Sequence, residues 1–312
     1  MNIAHIGGTS GVPISLANEQ LKQGHKAKVF VFSPLAHEQF GGTFVDFNKV
    51  SIWKGKIHMN PFYFWHRFKF FQAIKEFDIW HYHAPYGKLK EKLEQEKKGR
   101  RYIKHYHGTD LRHKYDEDFC LVSTPDLLQF ARNAVWLPNP LDLGFLSRFR
   151  DNNKRENDRK ITRLAHYSFY KNPGHNSGYD YYVDALNHVQ HSGKSIMIEI
   201  YNLPYPKAIE KHSVCDITIG KIVPDIGWMG RFELEGMALG KPVICYILDE
   251  LYDKYKPPVF RTTRETFKHD LEYLIEDETT RRRLAKEGPE YVQKNHDVKA
   301  IVERLEDYYK KL

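Results

Sequence analysis

The sequence predicts an α/β protein with two domains, and three observations carry this prediction. The chain has 312 residues, a length that favours two domains over one. Strand-like runs rich in β-branched and aromatic residues alternate with helical patterns, as in βαβ units with a parallel sheet. One stretch, RFRDNNKRENDRK at 148–160, is almost wholly polar and lacks hydrophobic periodicity, which is typical of a linker.

The first domain is expected to span residues 1–147. Three helices are predicted in this domain. The first covers Ile14 to Gln23, the second is a basic helix within 52–75, and the third follows the strand FDIWHYH. The strands are short apolar runs bounded by turn-forming or charged residues: NIAHIGG, KAKVFVF, FDIWHYH, RYIKHYHG, FCLVS and AVWLPNP.

The second domain is expected over 161–295, with the same alternation. One helix is predicted over Tyr181 to His191, a second ends near His212, and a third covers Met229 to Leu239. Residues 296–312 are expected to form a C-terminal helix, for which packing back on the first domain is one arrangement. The strands of this domain are ITRLAHY, SIMIEIYN, CDITIG and PVICYI.

Composition limits the class of function. The net charge is +8, which favours anionic partners such as nucleotide phosphates or phospholipid surfaces. No nucleic-acid motif accompanies the charge, so nucleic acid is not an expected partner. No run of about 18 apolar residues is present, and Met1 leads directly into a strand, so a cytoplasmic protein is expected. The three cysteines have no metal-binding spacing and are expected to be free thiols.

Basic residues are dense at 52–75 and at 88–107. The first stretch mixes aromatic residues with Lys and Arg, the composition of a segment that lies at a membrane surface. A partly buried helix with a solvated basic face explains the same pattern equally well.

A glycine-rich turn lies between the first strand and the first helix. Backbone amides of Gly8, Thr9, Ser10 and Gly11, with the helix N-terminus, can hold an anion such as a donor phosphate. The turn is neither GxGxxG nor a P-loop. A tight turn without a ligand is the alternative.

The stretch HYHGTDLR follows a predicted strand whose carboxyl end faces the ligand-binding edge of a parallel sheet. His107 is therefore a candidate catalytic residue that contacts substrate, and Asp110 can orient it or bind a sugar hydroxyl. A structural role for His107 remains open. His83 and Tyr86, after the preceding strand, are weaker candidates for the same region.

Glu235 raises a separate question, because helical spacing places this carboxylate on the apolar face of the helix over Met229 to Leu239. An unpaired charge there is costly. The two hydroxyls of a ribose can satisfy it, with Gly227 and Gly230 leaving amides free at the helix start. An internal ion pair with Arg231, four residues earlier, satisfies it as well.

The segment LEGMALGKPVI resembles LEAMACGKPVI of GT-B glycosyltransferases, especially the retaining family 4 (glycosyl transferases group 1). The glycine-rich loop, the HGTD loop and LPNPLD fall in the order of that family, and GWMG resembles the GWYG variant of its E-x7-E motif. The resemblance implies two Rossmann-like domains facing a central cleft. It also implies a nucleotide-diphosphate sugar donor and retention of anomeric configuration.

The resemblance assigns roles to individual residues on the donor side. Glu235 matches the second Glu of E-x7-E, which grips the donor ribose, whereas Gly227 stands where the first Glu would be. Trp228 would then shape the sugar pocket, beside Met229 and Gly230. Three further residues match or lie near the positions that neutralise the donor diphosphate: Arg163, His166 and Lys171.

The expected function is therefore transfer of a sugar to an unknown acceptor, lipid-linked or glycan. No DxD metal motif follows a strand convincingly, so helix amides and basic side chains are expected to stabilise the leaving diphosphate without a metal. Two alternatives stay open: a non-catalytic nucleotide- or glycan-binding relative, and a GT-B nucleotide-sugar epimerase. A Rossmann oxidoreductase is disfavoured by the glycine pattern.

Overall fold

The structure is a computed structural model and describes residues 1–8, 10–47, 50–53, 56–84, 87–97, 99–151, 161–167 and 179–312. The chain divides into two compact units. Unit 1 contains Met1–Ser123, Leu127–Pro140 and Val298–Leu312, and unit 2 contains Thr124–Asp126 and Leu141–Asp297. Residues 141–147 therefore belong to unit 2, although the sequence assigned them to the first domain.

Unit 1 is built on a parallel sheet with strand order β3-β2-β1-β6-β7-β8-β9. A separate antiparallel hairpin, β4-β5, lies in the region where the sequence predicted only a basic helix. The strands are β1 (Asn2–Ile6), β2 (Lys26–Val31), β3 (Thr43–Phe44), β4 (Val50–Trp53), β5 (Lys56–Met59), β6 (Ile79–His83), β7 (Arg101–Tyr106), β8 (Cys120–Val122) and β9 (Ala134–Trp136).

Helices cover both faces of this sheet, as its nearly continuous buried strands require. The first and last helices pack on one face, where Ile3, Leu16 and Val302 share a core. Phe30, Phe70 and Ile74 form the core of the other face. The helices of unit 1 are α1 (Val12–Lys22), α2 (Pro34–Phe40), α3 (Tyr63–Ile74), α4 (Gly87–Glu96) and α12 (Val298–Lys311), and a 3-10 helix lies at Pro125–Phe130.

Unit 2 has a five-stranded parallel sheet of order β11-β10-β12-β13-β14, counted over the described residues. Its core includes Leu164, Ile217, Ile244 and Leu271. The strands are β10 (Thr162–His166), β11 (Ser195–Glu199), β12 (Ile217–Ile219), β13 (Val243–Cys245) and β14 (Phe260–Arg261). The helices are α5 (Leu143–Asp151), α6 (Tyr179–His191), α7 (Tyr205–Ser213), α8 (Arg231–Ala238), α9 (Asp249–Tyr255), α10 (Phe267–Glu276) and α11 (Glu278–His296).

The order of the strands creates a switch point in each sheet, where successive connections run in opposite directions. In unit 1 the switch lies between β1 and β6, and in unit 2 it lies between β10 and β12. Ligands of open parallel sheets bind outside the carboxyl ends of the strands at such points. Among the described residues, no helix has the length and apolarity needed to cross a membrane. The cysteines Cys120, Cys215 and Cys245 are buried free thiols, as expected.

Candidate functional site

The glycine-rich turn of unit 1 ends β1 beside its switch point. Gly7 has φ +100°, and a Cβ there would lie 2.5 Å from the carbonyl oxygen of His83. A Cβ on Gly8 would lie 2.8 Å from Val31 Cγ1. Ser10 and Gly11 both have positive φ, and no described side chain caps the first turn of α1. Close packing of the backbone therefore accounts for the first two glycines. Thr9 lies outside the described residues.

His107 follows β7 at the same edge of the sheet, and both of its ring nitrogens contact other side chains of unit 1. Nε2 lies 3.0 Å from His83 Nδ1, and Nδ1 lies 2.5 Å from Ser123 Oγ. Burial lowers the pKa of the His107 imidazole to about 3, so the ring is neutral at physiological pH. The structure therefore holds His107 in a hydrogen-bond network rather than with a nitrogen left unpaired.

Asp110 shapes the loop rather than the imidazole of His107. Its carboxylate accepts hydrogen bonds from the backbone N–H groups of His107 at 2.9 Å and Gly108 at 2.6 Å. Burial raises the pKa of Asp110, although these amide hydrogen bonds oppose the shift. Both predicted roles of Asp110, orienting the His107 side chain and binding a sugar hydroxyl, stay predictions. Tyr86 lies outside the described residues.

Glu235 of unit 2 is buried and has an ionic partner. Its Oε1 lies 2.7 Å from Arg231 Nε, and both side chains are less than a tenth exposed. Arg231 also donates to the Tyr205 hydroxyl at 3.2 Å and lies over the Tyr205 ring. Burial raises the pKa of Glu235, and Arg231 and Tyr205 oppose that shift. The ion pair, the alternative considered for Glu235, is therefore present, and binding of a ribose stays a prediction.

The helix α8 begins at Arg231, two residues later than predicted, because Glu233 caps it. Glu233 is fully buried, and its carboxylate accepts from the backbone N–H of Gly230 at 2.9 Å and of Lys221 at 2.8 Å. Lys221 follows β12, and its side chain reaches the same turn. Its Nζ would lie 2.7 Å from a Cβ atom if Gly230 carried one. The buried carboxylate of Glu233 lies at the same turn and offsets part of the positive charge of Lys221 and of the helix N-terminus. Lys221 is a candidate anion ligand because its ammonium group lies beside the first amides of α8, and the sequence analysis missed it.

Gly227 cannot hold the carboxylate that the resemblance would place there. Its φ is +62°, and a Cβ would lie within 2.5 Å of Leu248 Cγ. A side chain at this position would therefore be both strained and overpacked against Leu248. Trp228 and Met229 are each 1% exposed, and Trp228 packs against Tyr255 at 5.5 Å. The structure places Trp228 in the core of unit 2, so its proposed part in a sugar pocket stays a prediction.

Replacing Gly227 by Ala should lower the free energy of unfolding by about 2–4 kcal/mol, because left-handed strain and overpacking add. Urea unfolding measures the change. Gly193→Ala is the matched control, since Gly193 has φ +71° but no described heavy atom within 4 Å of a Cβ. It should lose only the backbone part, about 1 kcal/mol. Equal losses in the two variants would contradict the packing against Leu248.

Two of the three predicted phosphate ligands, Arg163 and His166, lie within the described residues, and the structure separates them. His166 ends β10 at the switch point and is fully buried. Arg163 is the second residue of the same strand, level with Asp216, whose carboxylate accepts from the Arg163 backbone N–H at 2.7 Å. Arg163 therefore lies at the amino end of the sheet and is not brought together with His166 and Lys221. Lys171 lies outside the described residues.

Two further features at the carboxyl ends of the strands were not predicted from the sequence. Tyr205 touches the buried ion pair from the start of α7, and only the fold brings it there. In unit 1, repeated H-x-H pairs end both β6 and β7, and this repetition could have indicated a cluster.

No family model matches the sequence, and no curated protein matches it. Solved structures match over nearly the whole chain. A glycosyltransferase from Rickettsia africae aligns with a TM-score of 0.64 at 14% identity, covering 99% of this chain and 97% of the other. Sucrose-phosphate synthase from Thermosynechococcus elongatus aligns with a TM-score of 0.66 at 13% identity, covering 100% and 99%. The Anabaena protein HepE, in complex with UDP-glucose, aligns with a TM-score of 0.63 at 14% identity over the full length of both chains.

The chain has the GT-B fold. This confirms the predicted α/β class with two Rossmann-like domains. The fold is not confined to transferases, since UDP-GlcNAc 2-epimerase from Methanocaldococcus jannaschii matches with a TM-score of 0.52 at 10% identity, covering 94% of this chain and 99% of the epimerase. Identities this low establish the fold, and the reaction depends on the site.

Proposed function

We propose that the protein is a glycosyltransferase that uses a nucleotide-diphosphate sugar. The observation that carries this proposal is the edge of unit 2 at the switch point of its sheet, where Lys221 and Gly230 lie at the N-terminus of α8, the helix that also carries Glu235. Amides and a lysine suit a diphosphate, and a buried carboxylate suits a ribose. The LEGMALGKPVI segment supports a retaining, family 4 type of hexosyl transfer with a GWYG-type motif.

These groups of unit 2 would stabilise the charges that develop in the transition state. Negative charge grows on the leaving diphosphate, where amides of α8, Lys221 and His166 can stabilise it without a metal ion. The diphosphate oxygen would accept the proton of the acceptor hydroxyl, so that no general base is required. His107 and Asp110 would position the sugar or acceptor from unit 1, with the glycine-rich turn contributing amides.

Nucleotide binding tests the proposal directly. Calorimetric titration with UDP, GDP, ADP and dTDP, in the absence of metal, should show binding of one of the four. Lys221→Met should weaken that binding by about 1.5–3 kcal/mol, tenfold or more, since a charge-assisted contact to phosphate is lost. Lys294→Met, at an exposed lysine of α11, is the control and should bind like the wild type. Equal affinity in both variants would remove Lys221 from the site.

Product analysis separates the candidate reactions. A transferase releases free nucleoside diphosphate when acceptor is supplied, whereas an epimerase changes the configuration of the sugar and needs no acceptor. The epimerase is kept as a second candidate because an enzyme of that class shares the fold. A relative that only binds would give calorimetric binding with neither product.

The acceptor is proposed to be lipid-linked, because α3 presents an aromatic and basic surface. Four aromatic residues of this region are more than half exposed: Phe62 at 61%, Phe64 at 72%, Trp65 at 51% and Phe68 at 61%. Lys69 Nζ lies 4.0 Å from the centre of the Trp65 ring, and Arg67 donates to the Tyr63 hydroxyl at 2.8 Å. Aromatic rings beside cations fit the headgroup region of an anionic bilayer.

Removing these aromatic rings should reduce vesicle binding. Phe64→Ser with Phe68→Ser should lower partitioning onto phosphatidylserine-containing vesicles at least tenfold, since each inserted ring contributes about 1.5–3 kcal/mol at full burial. Lys69→Glu should weaken binding to anionic vesicles and leave weak binding to neutral ones unchanged. Tyr273→Ser, at a 44% exposed ring of unit 2, is the control. Unchanged sedimentation of the double variant would contradict a membrane contact through α3.

A further inference from the structure

Five histidines occupy one face of the unit 1 sheet at its switch point. His5 lies on β1, His81 and His83 on β6, His105 on β7 and His107 just after it. In the parallel register His5 is opposite His81, and His83 is opposite His105. Four of the five rings are no more than 1% exposed, and His107 is partly exposed. Such a set of imidazoles in a core requires an account of every ring nitrogen.

Every ring nitrogen of the five has a partner, and the partners form one chain. The chain has seven links of 2.5–3.1 Å and runs from an amide on α1 to a phenol on α12. In order, its members are Gln20, His5, His83, His107, Ser123, His105, His81 and Tyr309. We call this set the histidine chain.

The Gln20 end of the histidine chain gives it a direction. Gln20 Oε1 is a carbonyl oxygen, which only accepts, so His5 must carry its proton on Nε2. His5 Nδ1 then accepts from His83, and the same logic passes through each link. At the far end the buried Tyr309 hydroxyl lies 2.6 Å from His81 Nδ1, and a phenol can donate or accept, so this end is compatible with donation to His81. The carbonyl of Gln20 therefore sets one arrangement, in which all five rings are neutral Nε2–H tautomers.

The ring geometry favours this chain over a shared metal ion. Two sets of three, His5 with His81 and His83, and His83 with His105 and His107, have ligand atoms within 4.8 Å of one another. The rings of His81 and His83 are stacked at 4.1 Å with planes 17° apart. A metal ion lies in the plane of each imidazole that binds it, and the nearly parallel planes of His81 and His83 do not meet in a common ion. This geometry argues against the first set, and the second set is tested by titration with Co²⁺.

Among the described residues, no carboxylate offsets charge on the five rings. Burial is the main cause that lowers the pKa of each imidazole, and the neighbouring histidines lower it further for His81, His83 and His105. The nearest acid on the loop, Asp110, is held by backbone amides. On the covering helices, Glu19 pairs with Lys22, and Glu306 pairs with His25. The chain is therefore built to stay uncharged.

We infer that the histidine chain positions His107, with Gln20, Ser123 and Tyr309 as positioning residues that fix its ring orientation and tautomer through the links of the chain. The consequence for chemistry rests on the proposed function: His107 orients sugar or acceptor as a neutral group and does not exchange protons with them. The hydrogen-bond chain itself is a statement about unit 1 and is tested without any substrate.

The test is a histidine ¹⁵N tautomer measurement on the full chain. In protein labelled with ¹⁵N-histidine, the five rings of the histidine chain, assigned through single His→Gln variants, should show the Nε2–H pattern and should not titrate between pH 8 and 6.5. Nδ1–H patterns, averaged patterns, or titration of His107 in this range would overturn the inference.

Two hydroxyl deletions test whether the direction is transmitted. Tyr309→Phe alone should leave the five tautomers unchanged, because Gln20 still sets the direction through Ser123. Tyr309→Phe combined with Ser123→Ala isolates His81 and His105 from both ends, and only these two should become tautomer mixtures. If Tyr309 and Ser123 only filled space in the core, the double substitution would not change the tautomers of His81 and His105. Tyr102→Phe is the control for loss of a phenol oxygen, since this buried hydroxyl has no hydrogen-bond partner among the described residues.

Metal titration and donor turnover separate the remaining outcomes. Added Co²⁺ should give no visible ligand-field bands; bands that His83→Gln abolishes would establish a metal site and overturn the chain. If no nucleotide binds but the five Nε2–H patterns are found, the proposed function is wrong and the inference about the histidine chain is confirmed. If nucleotide binds but the tautomers are mixed, the inference fails and the proposed function stands.

Discussion

Unfolding in mild acid, between about pH 6 and 5, is the expected behaviour of unit 1. Folding holds five histidines neutral with pKa values lowered by burial, to about 4 for His5 and about 3 for His107. The unfolded chain has ordinary histidine pKa values near 6.5, so below that pH it binds more protons than the folded state. Stability therefore falls as the pH falls from about 6.5 toward the folded pKa values, and the histidines have no effect above about pH 7.5.

This effect is a sizeable part of the stability of a typical domain. At pH 5.5 His5 and His107 each favour the unfolded state by about 1 kcal/mol against a usual total of about 5–15 kcal/mol, and the lowered pKa values of His81, His83 and His105 act in the same direction. Urea unfolding followed by tryptophan fluorescence, at pH values from 8 to 5, measures the loss. Hydrogen exchange should show that peptides of β1, β6 and β7 lose protection as the pH is lowered, to a greater extent than peptides of β12 and β13.

One variant and one control make the acid result specific. His5→Gln removes one titrating ring and keeps a polar side chain, so the slope of stability against pH should fall by about 1.4 kcal/mol per pH unit. His269→Gln, at an exposed histidine of α10, should leave the slope unchanged. If the free energy of unfolding is constant between pH 7.5 and 5.5, the five histidines take up protons equally in the folded and unfolded protein, which contradicts a neutral histidine chain.

The sequence predicted the order of strands and helices because apolar periodicity is a local property. Segments such as NIAHIGG and CDITIG lie where they were expected, as β1 and β12. The basic stretch 52–75 was predicted as a helix, but β4 and β5 occupy its first part, because Ile52, Trp53 and Ile57 are residue types that favour strands. Composition alone does not separate the two.

The candidate sites depended on neighbours that are distant in sequence. His83 and His107 were visible as strand-end histidines, but their link requires that β6 lie between β1 and β7. The packing of Gly227 against Leu248, and of Tyr205 against Arg231, also follows only from the fold. Glu235 shows the same limit, since helical spacing indicated both its burial and its ion pair with Arg231 without deciding between that pair and a ribose.

Glu235→Ala is expected to destabilise unit 2 strongly, by about 3–5 kcal/mol, because it leaves Arg231 buried without its carboxylate. Loss of nucleotide binding in this variant would therefore be ambiguous, since misfolding explains it as well as loss of a ribose contact. Replacing both members, Arg231→Met with Glu235→Leu, removes the ion pair without stranding a charge. Buried pairs replaced by apolar residues of similar volume are often as stable as the original.

The double variant should therefore unfold in urea near the wild-type midpoint and yet fail to bind nucleotide, if Glu235 holds the ribose in addition to Arg231. The matched control is the exposed pair Glu278 and Arg282 of α11, at the same four-residue spacing. Replacing both of those by Leu and Met should change stability by less than about 0.5 kcal/mol and leave binding intact. A folded double variant at Arg231 and Glu235 that binds nucleotide with wild-type affinity would assign Glu235 to the stability of α8 alone. The donor site would then rest on Lys221 and the amides of α8, and the carboxylate on the apolar face would be explained by Arg231 without a ligand.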